Sequence, residues 1–161
     1  MHKIIKVGMA DLNIAKAPDI LTTLGLGSCV GIALYDNRAA IIGLAHIMLP
    51  SSKQIKNNEN KAKFADTAIE LLVEDMCKAG SLRSRIVAKI AGGAQMFSFG
   101  SNSDIMKIGE RNTIATKEVL KELNIPLLAE DTGGNYGRTI EVYPGTGKLL
   151  VKTIGYGIKE I

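Results

Sequence analysis

Four apolar runs of strand length crowd the chain ahead of Pro50: "KIIKVGM", "ILTTLGL", "VGIALYD" and "AIIGLAHIML". Each is rich in Ile, Val or Leu and bounded by turn-forming residues, the usual punctuation of strands. From Phe64 the period changes. Phe64, Ala68, Leu72 and Met76 fall on one helical stripe with Ile69 and Val73 beside it, and Gly80 supplies a stop. Cys77 borders this stripe and reads as a small packed hydrophobe. "RIVAKIAGG" follows as a buried strand, and a second helix is predicted over 113–123, with Pro126 after Ile125 barring its continuation. "IPLLAED", "RTIEVY" and "KLLVKTIG" close the chain as strands, the last two joined by a "PGTG" turn over Pro144 to Gly147. Strands outnumber helices and do not alternate with them, which predicts α+β layers: mostly antiparallel or mixed sheet, as two sheets or one strongly curved one, covered by two main helices.

Composition bounds the rest. With 161 residues and 46% hydrophobic content, the chain can bury a core without staples. No repeat or linker interrupts it, so residues 1–161 are expected to form a single domain. No apolar run reaches membrane-spanning length and no signal-like start is present, which predicts a cytoplasmic protein without membrane insertion. Twenty Lys and Arg against sixteen Asp and Glu leave a charge of +4, without the arginine stripe or aromatic platform of a nucleic-acid binder. Residues 50–63 carry Lys53, Lys56, Lys61 and Lys63 around a single bulky apolar residue, Ile55, and read as an exposed, mobile loop.

The chemistry concentrates in "TLGLGSCVG", Thr23 to Gly31, and "AHIML" around His46. A dinucleotide fingerprint fails there, because Val30 stands where its third glycine belongs and a strand follows. "PGTGK" lacks the upstream glycine of a phosphate loop. Two cysteines and two histidines without short spacing do not build a zinc site, so no metal or other cofactor is expected. Cys29 and His46 instead share a hairpin turning at "DNRA". A two-residue turn puts them directly opposite each other. A four-residue loop puts Met48 opposite Cys29 but keeps His46 on the cysteine's face one step away, and a three-residue loop sends it to the other face. An adjacent imidazole can lower a thiol's pKa and create a nucleophile. The ring needs a third group to hold its tautomer. Thr22, Thr23 and, through the fold, Asp131 are the candidates.

"TLGLGSCVGIALYD", "GLAHIMLP", "KFADTAIELLVEDM", "AKIAGGAQMF", "IGERN" and "LLAEDTGGNYGRTIEVYPGTGKLLV" together resemble the chemoreceptor glutamine deamidases called CheD, over residues 7 to 155. The resemblance implies a layered α/β sandwich and a papain-like cysteine hydrolase site: nucleophile Cys29, histidine His46, triad threonine Thr23. It implies deamidation of receptor glutamines through a thioester. The oxyanion would rest on backbone N–H groups near Ser28 and Cys29, and the glycines would leave room for the substrate. It also implies binding to the chemotaxis phosphatase CheC, with Phe97 a candidate contact. Two other readings are a receptor glutamate methyl-ester hydrolase and a phosphatase-regulating module with secondary or no catalysis.

Overall fold

The structure, a computed structural model, describes residues 1–96 and 107–161. The elements run β1 (Ile4–Lys6), β2 (Leu12–Lys16), β3 (Ile20–Leu26), β4 (Val30–Asp36), β5 (Ile41–Ile47), α1 (Ala65–Lys78), β6 (Val87–Gly92), α2 (Ile108–Glu122), β7 (Leu127–Thr132), β8 (Arg138–Val142), β9 (Leu149–Thr153) and β10 (Gly157–Glu160). They form two five-stranded sheets, ordered β1-β3-β8-β9-β10 and β2-β5-β4-β6-β7. Both are mixed, since β1 runs parallel to β3 and β6 parallel to β7 while the other pairs are antiparallel.

Three layers result, and two cores. One lies between the sheets and gathers Leu21, Leu26, Ala33, Leu44, Ile140 and Val151. The other lies between the second sheet and the helices, where Ile32, Leu34 and Ile47 meet Ile69, Leu72, Met76 and Leu120. The expected helix stripe is the face α1 buries: Phe64, Ala68, Ile69, Leu72, Val73 and Met76 are all inaccessible. Because β4 and β5 sit in the middle layer, every residue in both is buried, as in a sheet covered on both faces. By contrast β8 and β9 alternate, with one face on the core and one half-open.

Several boundaries differ from the sequence expectation. The second helix begins five residues earlier than expected, at Ile108, since Gly109 faces the backbone of Gly93 and Ala94 so closely that a Cβ there would stand 2.3 Å from the Ala94 carbonyl. Strands β2 and β10 were not expected, both being short and half-polar or exposed. Residues 50–63 hold two 3-10 turns, Ser52–Gln54 and Lys61–Lys63. Ser52 is tied to Asp66, and Asn60 to the Ala10 carbonyl. No helix among the described residues is long and apolar enough to cross a membrane.

The β4–β5 connection decides the register. Asp36, buried at the end of β4, accepts from the backbone N–H of Arg38 and Ala39 at 3.1 and 3.2 Å, closing a local turn. It also accepts from the Leu82 N–H and from Arg85 Nε, both anchored on the segment after α1. Ala40 completes the loop in the left-handed region at φ 55°. Four residues therefore lie between the paired Asp36 and Ile41, and the ladder continues to Val30 opposite Ile47. Burial pushes the Asp36 carboxyl up, but hydrogen bonds from Arg85, Ala39 and Leu82 outweigh it and hold the group below its ordinary 3.8. Asp36→Ala orphans these donors and should cost about 3 kcal/mol in urea unfolding at neutral pH. A group whose folded pKa is depressed stabilises above its unfolded pKa and stops doing so as pH falls through the folded one. The gap between wild type and variant should accordingly be full above pH 3.8 and shrink on further acidification.

Candidate active site

Thr23 and His46 meet across the two sheets. Strand β3 pairs Thr23 with Ile140 of β8, then Leu26 with Arg138, so one extra residue is taken up between them. This β-bulge exposes Leu24 and lets Leu21, Thr23 and Leu26 all turn inward. Thr22 points elsewhere and donates to the Ile140 carbonyl. The Thr23 hydroxyl makes two contacts of 2.7 Å, to the Val7 carbonyl and to His46 Nδ1. Its single proton goes to the carbonyl, which can only accept. Nδ1 must then be the donor to Oγ1, so the neutral ring carries its proton on Nδ1 and a lone pair on Nε2. Nε2 is buried and finds no hydrogen-bond partner among the described residues.

Cys29 immediately precedes β4 and belongs to the core between the sheets. His46 is paired with Gly31, two residues along from Cys29 and hence on the same face. Of the three registers open to the sequence, the four-residue loop is the one found, so thiol and imidazole are diagonal neighbours rather than directly opposed. No hydrogen bond joins Sγ to Nε2. Only 7% of Cys29 and 1% of His46 is exposed. Burial pushes the Cys29 thiol up from 9.0, partly offset by its own backbone N–H, and pushes the His46 imidazolium below 6.5. The resting pair is consequently neutral. The lowered thiol pKa expected from the neighbouring imidazole is not found, because desolvation outweighs any help from an uncharged ring.

Other expectations sort as follows. Asp131 does not serve the histidine: it is paired with Arg138 at 3.3 Å and Lys159 at 3.1 Å. Gly31 makes room for the opposite sheet rather than for a substrate, since a Cβ there would stand 2.7 Å from Ile140 Cδ1 and 3.0 Å from Leu26 Cδ1. Gly92, at φ 111°, lets β6 close on the cysteine, where a Cβ would stand 2.3 Å from the Cys29 carbonyl. The backbone N–H groups of Ser28 and Cys29 have no partner on another residue among those described. Phe97 lies outside the described residues. Sequence reasoning missed the Val7 carbonyl, for which no side chain is a signal. It also missed Asn112, a buried polar residue on the stripe Gly109, Asn112, Thr116, Leu120, whose period was legible.

Known proteins agree with this chain over its length. Residues 48–153 match the family described as CheD chemotactic sensory transduction, and the chain belongs to that family. The match begins after His46, but full-length relatives extend across the whole site. A protein of Caldanaerobacter subterraneus subsp. tengcongensis is 66% identical over 99% of this chain and 98% of its own. Others from Syntrophomonas wolfei subsp. wolfei and Lachnoclostridium phytofermentans are 62% and 60% identical, with both chains fully covered. Each of the three bears the name "Probable chemoreceptor glutamine deamidase CheD".

The neutral pair is directly measurable. In a Cys77→Ser background, thiolate absorbance in the ultraviolet should be absent at neutral pH and emerge only above the ordinary thiol value of 9.0. A thiolate signal at neutral pH that disappears with Cys29→Ser would contradict this picture.

Proposed function

We propose that this chain hydrolyses glutamine side chains of methyl-accepting chemoreceptors to glutamate, with Cys29 as nucleophile, His46 as base and acid, and Thr23 orienting the ring. The observation carrying this reading is the buried lone pair of His46 Nε2 on the face shared with Cys29. Relatives 66%, 62% and 60% identical, named for chemoreceptor glutamine deamidation, supply the substrate.

The steps follow from the neutral resting state. When a carboxamide enters, the thiol proton passes to Nε2 as Sγ adds to the carbonyl carbon, so neither charge has to exist alone in the buried site beforehand. The oxyanion takes hydrogen bonds from the N–H groups of Ser28 and Cys29, which bond to no other residue among those described. Nε2–H returns its proton to the amide nitrogen as the C–N bond breaks, ammonia leaves, and a thioester remains. Water then gives a proton to Nε2 and attacks the thioester. The C–S bond breaks as Nε2–H returns that proton to Sγ, restoring the thiol and releasing a carboxylic acid that ionises to glutamate. Thr23 keeps Nδ1 as donor throughout, so the reactive nitrogen never exchanges places with the other.

A receptor helix needs an apolar seat. Leu24 follows Thr23 and is 49% exposed, and Met96, 43% exposed, lies over Gly27 beside the cysteine. The same rim would serve the phosphatase CheC if it presents a similar helix, with Phe97 next to Met96 in sequence. Each turnover converts a neutral side chain into an anion and so alters repulsion between neighbouring receptor helices.

Receptor cytoplasmic fragments incubated with wild type should show Gln-to-Glu conversion in tryptic peptides by mass spectrometry. Cys29→Ala should show none. Conversion at an undiminished rate by the alanine variant would overturn the assignment of the nucleophile.

A further inference from the structure

Three consecutive carbonyls around the cysteine are individually held. Gly27 O accepts from the Ala94 N–H and Cys29 O from the Gly93 N–H, both at 2.9 Å. The middle one, Ser28 O, is reached by no backbone N–H among the described residues and accepts instead from Asn112 Nδ2, again at 2.9 Å. The second proton of that amide goes to Met48 O at 2.9 Å. Met48 lies two residues beyond His46, just past Ile47, the last β5 residue paired with β4. One buried side chain thereby continues the ladder where the two strands stop pairing, and joins the cysteine's strand to the histidine's.

The choice of residue is chemically narrow. Two acceptors that face the same space need two N–H donors on one atom, uncharged and on a short stem. Among side chains asparagine alone combines these, since Gln is longer and Lys brings a charge into a dry site. Asn112 is completely buried, and its Oδ1 has no partner among the described residues. A peptide unit is planar, so fixing the Ser28 carbonyl fixes the direction of the Cys29 N–H, which points the opposite way.

Resting on the deamidase reading above, we infer that Asn112 is a positioning residue: it aims the Cys29 N–H at the developing oxyanion and sets the thiol's distance from His46. It touches no reacting atom.

Asn112→Ala removes both donors, and Asn112→Asp keeps the shape but turns acceptors toward acceptors. In either variant, deamidation kcat per folded molecule, with folding checked by circular dichroism, should fall about 100-fold while KM stays unchanged. Iodoacetamide capture of Cys29 in the Cys77→Ser background, which needs no glutamine, should slow as well. Unchanged kcat and capture rate overturn the inference, as does a rise in KM alone. Failure of both variants to fold also overturns it, by assigning the amide to the fold. A wild type that deamidates nothing, with capture still slowed in the variants, defeats the deamidase reading and leaves the positioning role standing.

Discussion

A threonine hydroxyl caught between a carbonyl and an imidazole holds the centre of this molecule. The Thr23 contact to His46 runs from one sheet to the other, and the Val7 carbonyl decides its direction. Val7 is itself placed by its N–H bond to the Thr22 carbonyl, and the next residues brace His46 through Ala10 and Asp11. Stacking two sheets face to face thus does more than bury Leu21 against Leu44. It brings a hydroxyl from the first sheet to a ring from the second at hydrogen-bond distance, inside a region from which water is excluded.

That exclusion has an electrostatic consequence. Burial disfavours a thiolate and an imidazolium alike, so both Cys29 and His46 rest uncharged. On the proposed reading, the neutral thiol beside a neutral base is a latent nucleophile that an incoming carboxamide activates. The site then does not require a standing ion pair in a low-dielectric interior, which would be costly unless fully hydrogen-bonded.

The α1 stripe was legible because the spacing of Phe64, Ala68, Leu72 and Met76 leaves one reading open. The pairing of β4 with β5 was legible as a hairpin but not in register. What decides it is Asp36 reaching forward to Arg38 and Ala39, and Ala40 adopting φ 55° without the glycine that ordinarily announces such a turn. Parity alone could not choose between Thr22 and Thr23, since each would face the core in some register. The bulge after Thr23 is a tertiary fact that shows only once β8 is in place. The start of α2 was hidden because the close approach of the Gly93 and Ala94 backbone, which the missing side chain of Gly109 admits, is a tertiary contact. The direction of the thiol's pKa was inaccessible for the same reason: a sequence shows that an imidazole is near, and not how dry the space between is.

Nitrogen-15 NMR of His46 tests the account at its root. Thr23 and Val7 require a neutral ring at pH 7 with its proton on Nδ1, and Nε2 showing the shift of an unprotonated nitrogen. A ring protonated on Nε2, or an imidazolium at that pH, would mean that the hydroxyl points the other way or that the site is wet, and the catalytic arrangement built on it would be wrong.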